Sequence, residues 1–187
     1  MPEDKNKETS GGRKLTAELF FWGQALVLSL VVLVTVNIFF FRISGVQGES
    51  MYPTLYNKDR VIARVVGYND PERGDIIVVS VPEYEDDPLV KRIIAVGGDE
   101  IDIDRLTGVV YVNGEPLDEP YINETIRNFG NITYPQVVKE GYVFFMGDNR
   151  NKSTDSRWSY VGEQPVSNII GKVIFRVFPL SRVGKVS

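Results

Sequence analysis

Residues 19–41 read LFFWGQALVLSLVVLVTVNIFFF, a run of 23 residues without a charge. Coiled as a helix it would be about 34 Å long, enough to cross a hydrocarbon core of roughly 30 Å with slight tilt. Gln24 and Asn37 fall near its two ends, where polar groups cost least, and Trp22 and Phe39–Phe41 suit the two interfaces. A cleaved secretory leader would have an apolar core of only about 7–15 residues ending in a small-x-small site. This run is longer and ends in Phe-Phe-Phe-Arg, so it predicts an uncleaved membrane anchor over 19–41.

The flanks set an orientation. Residues 1–18 carry Lys5, Lys7, Arg13 and Lys14, whereas only Arg42 precedes Lys58 on the other side. The excess of cations before the span predicts a cytoplasmic tail over 1–18 and an extracytoplasmic domain over 43–187, in a single-pass protein of the cell membrane in contact with lipid. Met1–Gly12 is polar and rich in Gly, Ser and Lys, and is expected to lack structure.

After the anchor the pattern changes to short β-branched runs broken by turn residues. Arg60–Val66, Asp75–Val81, Leu89–Val96, Val109–Val112, Tyr142–Met146 and Ile169–Phe178 are the strand candidates. Asn113-Gly114 between Val-Val-Tyr-Val and Glu-Pro-Leu is a type I′ hairpin signal. Asp118–Glu140 has no clear period and reads as an excursion from the sheet. No amphipathic helix of convincing length follows residue 43. The fold expected is mostly β, one antiparallel β-sheet domain behind one N-terminal transmembrane helix.

Composition narrows the chemistry. The 187 residues are 43% hydrophobic and 25% charged, ordinary for a folded chain. A net charge of −4 with no basic run gives no sign of a nucleic-acid partner. There is no cysteine and no histidine. Thiolate and His-based metal sites, Cys nucleophiles and every Ser–His mechanism are thereby excluded, and neither a metal nor another cofactor is expected. A hydrolase built from this chain needs Lys, Asp, Glu, Tyr or a terminal amine as its base.

Three segments hold the candidate residues. In Gly48-Glu49-Ser50-Met51-Tyr52-Pro53-Thr54-Leu55, Pro53 forces a turn and Gly48 permits close backbone approach. Such a turn can aim the Ser50 hydroxyl outward with its own N–H nearby. In Leu89-Val90-Lys91-Arg92-Ile93-Ile94-Ala95-Val96, adjacent cations sit in an apolar strand and alternate in direction. If one faces solvent, the other is driven toward the packed side, where a lysine loses hydration and its pKa falls toward the working range. Arginine stays charged, so Lys91 is the candidate base, although both cations pairing with acids such as Asp99 is an equally open reading. In Gly147-Asp148-Asn149-Arg150-Asn151-Lys152-Ser153-Thr154-Asp155-Ser156-Arg157, Ser153 can orient the Lys91 amine, and Asp155 can pair with Arg157 or Arg150 to stiffen the loop, though a solvated turn is the commoner meaning of such a stretch.

Together these segments resemble the type I signal peptidase family. Ser50-Met51-Tyr52-Pro53-Thr54-Leu55 is similar to its S-M-x-P-T-L box, Arg73-Gly74-Asp75 to its R-G-D strand box, Val90-Lys91-Arg92 with Gly98-Asp99 to its lysine box, and Gly147 to Arg157 to its G-D-N-R-x-x-S-x-D-S-R box. Four boxes in one order are far more specific than any one. The resemblance implies a serine endopeptidase that removes N-terminal signal peptides from exported preproteins after a small-x-small motif. It implies Ser50 as nucleophile, Lys91 as general base, the Ser50 N–H as oxyanion donor and Ser153 as support for the amine, with Asp148, Asp155 and Arg157 as supporting structure. Where some members add a serine hydroxyl as second oxyanion donor, this chain has Gly48. An extended substrate would lie beside Leu89–Lys91 and the segment entering Ser50, with Val46, Met51, Leu89 and Val90 as candidate substrate contacts. A Ser–Lys protease of another purpose and an anchored, non-catalytic β-domain are the alternatives.

Overall fold

The computed structural model describes residues 6–186. It opens with one helix, α1 (Asn6–Phe40). Its window Leu15–Val36 has a mean hydropathy of 2.3 and is 0% buried, so this helix is long and apolar enough to cross a membrane and leaves that surface uncovered. Two boundaries differ from expectation. The helix stops at Phe40 because Phe41 is drawn into a strand, opposite Arg64. The stretch expected to lack structure is helical from Asn6, while the expectation for Met1–Lys5 falls outside the described residues. Extending an existing helix costs far less than nucleating one, so a polar flank containing Gly11-Gly12 can still be recruited.

Residues 41–187 form a second compact unit. In chain order its strands are β1 (Phe41–Gly45), β2 (Arg60–Arg64), β3 (Ile76–Val81), β4 (Glu85–Val96), β5 (Glu100–Ile103), β6 (Val110–Val112), β7 (Glu115–Pro116), β8 (Gln136–Val137), β9 (Tyr142–Met146), β10 (Gln164–Pro165), β11 (Ile169–Phe178) and β12 (Gly184–Lys185). All their pairings are antiparallel. The larger sheet runs β1-β2-β11-β3-β4-β9-β10, with β12 on β11, and the smaller runs β7-β6-β5-β8. The fold is therefore mostly antiparallel β with one N-terminal apolar helix.

Burial explains the strand sequences. The run Ile76–Val79 is buried throughout, and alternate residues feed two cores. Ile76 and Val78 join Val46, Met51, Leu55, Val61, Val90 and Val173 on one face. Ile77 and Val79 join Ile93, Val143, Phe145 and Val161 on the other. A strand covered on both faces reads as a continuous apolar run. A third core, around Ile94, Phe144 and Met146, seats the small sheet through Ile101, Ile103, Val110 and Val112. Asn113 and Gly114 both adopt positive φ, 55° and 80°, as the expected hairpin between β6 and β7 requires.

One feature of β4 makes the site. Its first half pairs with β3, from Val81 opposite Glu85 to Ile77 opposite Lys91. On its other edge β9 joins only from Arg92, opposite Met146. Between Glu85 and Lys91 that second edge has no strand partner among the described residues.

Candidate active site

The turn bearing Ser50 is pinned from several directions. Gly48 has φ +75° and donates its N–H to Asn57 Oδ1 at 3.1 Å. The side chains of Met51 and Leu55 are fully buried, and the Leu55 N–H donates to the Met51 carbonyl at 2.8 Å. The Ser50 carbonyl accepts the Asn149 N–H at 2.9 Å, and Asn149 Nδ2 donates to the Glu49 carbonyl at 3.1 Å. The Ser50 N–H donates to no group among the described residues.

Lys91 comes to this turn from the end of the open β4 edge. Its Nζ lies 2.8 Å from Ser50 Oγ, and the residue is only 3% exposed. Burial pushes the amine down from 10.5 to about 8, with the charges of Asp155 and Glu85 acting in the opposite sense. The adjacent cation is also buried, which corrects the expectation that one of the two faces solvent. Both sides of β4 are covered here, and Arg92 finds its own partners. Its Nε and Nη2 each donate to Asp148 at 2.9 Å, Nη1 donates to the Gly74 carbonyl at 2.8 Å, and its guanidinium stacks 3.9 Å from the Tyr121 ring centroid. Neither cation pairs with Asp99, which takes Arg73.

Of the residues singled out in the final box, Asp148 serves the turn through Arg92 and through Thr54, whose hydroxyl donates to it at 2.5 Å. Asp155 pairs with Arg157 through both oxygens, at 2.7 and 2.8 Å, while Arg150 goes to Glu119. Burial alone would raise the Asp155 carboxyl, but the Arg157 charge and hydrogen bonds hold it below the usual carboxylate range. Asp155 also accepts the Gly147 N–H at 3.0 Å. Ser153 is 5% exposed, and its Oγ makes no hydrogen bond of good geometry, to Lys91 or elsewhere, though it lies close enough to the Asp155 carboxyl to help keep that group ionised.

Gly147 carries a constraint that sequence reasoning missed. A Cβ there would stand 2.4 Å from both Ser153 Oγ and the Ser50 carbonyl oxygen, so the box passes the turn at backbone contact distance. The irregular excursion was also missed as a structural part. Glu119 binds Arg150, Tyr121 covers Arg92, the Asn128 carbonyl accepts from Arg157 at 2.6 Å, and Asn151 bonds to the backbone of 125, 127 and 128. Its three asparagines, with Gly130, were the available signal, because such residues satisfy backbone groups without periodic structure.

A cleft of about 230 Å³ lies between residues 45–48 and the open edge of β4, with Ser50 and Lys91 at its end. Val46, Gly48, Leu89 and Val90 line it. Met51 does not; it packs in the core beneath the turn. No cluster of three or more Asp or Glu placed to hold a metal occurs among the described residues.

The family model described as "Signal peptidase, peptidase S26" matches residues 19–178. "Probable signal peptidase I-1" of Synechocystis sp. is 38% identical over 171 residues, covering 86% of this chain and 83% of that protein. "Signal peptidase I S" of Bacillus subtilis is 34% identical over 174 residues, covering 88% and 91%. A crystal structure of a signal peptidase I from Enterococcus faecalis V583 is 27% identical, with a TM-score of 0.47, and covers 56% of this chain and 97% of that one. From the extent of the family match and of these sequence relatives, the chain belongs to the signal peptidase family, peptidase S26, and is a peptidase of the serine type.

Proposed function

We propose that this chain removes N-terminal signal peptides from preproteins after a small-x-small motif, using Ser50 as nucleophile and Lys91 as general base. The observation that carries the reading is the 2.8 Å contact between Lys91 Nζ and Ser50 Oγ at a buried amine. In its neutral form Lys91 takes the hydroxyl proton as Ser50 Oγ attacks the scissile carbonyl. The negative charge that develops on the carbonyl oxygen is met by the otherwise uncommitted Ser50 N–H. The Lys91 ammonium then gives its proton to the departing amine, leaving an ester on Ser50. Lys91 next deprotonates a water that attacks this ester, and the proton returns to Ser50 Oγ as the signal peptide leaves as a carboxylic acid.

The preprotein would add as an extended strand along the unpaired edge Glu85–Lys91, where backbone groups are free to pair. The shallow cleft bounded by Val46, Leu89 and Val90 suits side chains of alanine size. Residues 1–18 act as a cytoplasmic tail and 19–40 as the lipid-embedded anchor. Residues 43–187 act as the extracytoplasmic catalytic domain, and the tether keeps it at the membrane that signal sequences occupy.

Cleavage of a preprotein carrying a small-x-small site, by the full chain in detergent, tests this. Wild type cuts it. Ser50→Ala and Lys91→Ala remain folded and lose about three orders of magnitude or more in turnover, the scale seen when one member of such a catalytic group is removed. Equal cleavage by Lys91→Ala and wild type would reject the lysine as base.

A further inference from the structure

An endopeptidase must hold its substrate on both sides of the bond it cuts. The cleft between residues 45–48 and β4 accounts for one side only. A second cavity, of about 620 Å³, borders the same turn: Gly48 and Ser50 face the first cleft, and Glu49 between them lines the second. Tyr52, Tyr56, Asn149, Lys152 and Glu124 complete its walls. Its size lies within the roughly 300–1,000 Å³ of ordinary binding clefts. Asn149 ties it to the reacting group, since its N–H holds the Ser50 carbonyl.

The chemistry of this cavity suits a polar, extended peptide. Tyr52 and Tyr56 meet edge to face at 5.2 Å and are 37% and 39% exposed, a rigid amphipathic floor. Lys152 and Glu49 form a 2.9 Å ion pair, with both side chains about two-thirds exposed. Such a pair is weakly held, so an incoming charge can exchange with either partner. Arg182 also borders the cavity but is committed, bonded to Asp59 at 2.8 Å and stacked 4.0 Å from the Tyr56 ring centroid. Each charged side chain of the lining has an opposite partner, Glu49 with Lys152, Glu124 with Arg127 at 3.2 Å and Arg182 with Asp59, so the cavity presents no uncompensated charge.

We propose that this cavity receives the first residues of the released protein, just beyond the cut, and that Lys152 and Glu124 balance its charge so that neither acidic nor basic segments are rejected. This rests on the reading of Ser50 as nucleophile. Loss of either side chain unbalances the lining in a known direction: without Lys152 the cavity favours cations, and without Glu124 it favours anions.

The test uses the full chain in detergent at low ionic strength, where surface charges are least screened. Three preproteins share everything up to the cut and carry two Glu, two Ser or two Lys at the second and third positions beyond it. Wild type cleaves all three with similar kcat/KM. Lys152→Ala raises the ratio of Lys to Glu substrate by about three- to fivefold, the scale of one exposed charge contact, and Glu124→Ala lowers it by a similar factor. The same charge changes placed before the cut give one ratio in all three enzymes. A ratio unmoved in both variants, or moved in the same direction by both, overturns the assignment. Failure of wild type to cut any substrate, or full turnover by Ser50→Ala, instead overturns the nucleophile reading and this assignment with it.

Discussion

The Ser50 carbonyl accepts the Asn149 N–H at 2.9 Å, which fastens the Ser50 turn to a loop almost a hundred residues later in the chain. Gly147 makes this approach possible. With any side chain there, the box and the turn would have to separate, because the first carbon would fall 2.4 Å from the Ser50 carbonyl oxygen. Gly147→Ala is therefore expected to lower kcat about 100-fold or more, since displacements near 1 Å at a reacting group cost on that order. Peptide cleavage by the purified variant, alongside its circular dichroism, checks this. Wild-type turnover by a folded Gly147→Ala would show that the contact is not needed.

Burial of Lys91 ties both activity and stability to pH, in the same direction. As the proposed base it would work when neutral, so activity should rise between pH 7 and 9 with a midpoint near about 8, the value to which burial lowers the amine. A profile flat over that range, under conditions where chemistry limits the rate, would exclude a titrating lysine. Stability responds through the same group. Between about 8 and 10.5 the unfolded chain binds a proton that the folded chain does not, so stability from this group rises with pH across that window and is lowest below it. At about 1.4 kcal/mol per pH unit, the displacement corresponds to about 3 kcal/mol of destabilisation at neutral pH. Lys91→Met should thus be inactive yet more stable than wild type at pH 7, with the gain shrinking by pH 10. Denaturant unfolding at the two pH values measures it.

Arg92 and Asp148 form a buried pair in which each ion depends on the other. Removing the arginine leaves a carboxylate with 0% exposure facing only the Thr54 hydroxyl as a side-chain donor. Arg92→Ala is expected to destabilise the domain by about 3–5 kcal/mol, the range for an orphaned buried charge. Arg92→Ala combined with Asp148→Ala should recover part of that loss, because the uncompensated charge is gone. A double variant less stable than the single by the full cost of a second truncation would contradict this account.

How much of this was visible in the sequence depends on whether the signal was local. Tyr142–Met146 and Ile169–Phe178 were bounded to the residue, because their β-branched and aromatic runs end at turn formers. The Asn113-Gly114 hairpin was equally legible, since positive φ at two successive positions selects those residues. Phe41–Gly45 was hidden because its aromatic start continues the apolar anchor run, and only pairing with β2 decides its state. Glu85–Pro88 lay outside the strand candidates, yet it extends β4 because β3 offers it a register. The closeness of Ser50 and Lys91 was legible only through the resemblance: nothing in the separation of 41 positions specifies 2.8 Å. Asp155 was legible as a partner for Arg157 or Arg150, and it takes Arg157, but the contacts of Arg92, Arg150 and Arg157 with Tyr121, Glu119 and Asn128 were not, since they lie across an excursion with no period to read.

Ser153 presents the sharpest contrast between geometry and expected role. Its hydroxyl is buried without a hydrogen bond of good geometry, beside the Asp155 carboxyl, so removing it forfeits little pairing in the resting fold. Ser153→Ala should unfold at the wild-type denaturant concentration, or slightly above it, because an unsatisfied buried polar group is lost. Yet when Ser50 surrenders its proton and bonds to substrate, the Lys91 ammonium needs a second acceptor, and the Ser153 hydroxyl, packed against Gly147 beside the Ser50 carbonyl, is the oxygen we assign to that role. On that ground Ser153→Ala should lose about 10- to 100-fold in kcat with little change in KM, the cost of one lost hydrogen bond to a charged group. Ser153→Thr, which keeps the hydroxyl, should recover more activity than Ser153→Ala wherever the extra methyl is accommodated. If Ser153→Ala matches wild type in both kcat and stability, the hydroxyl has no part in holding the amine, and Lys91 must be oriented by its packing alone.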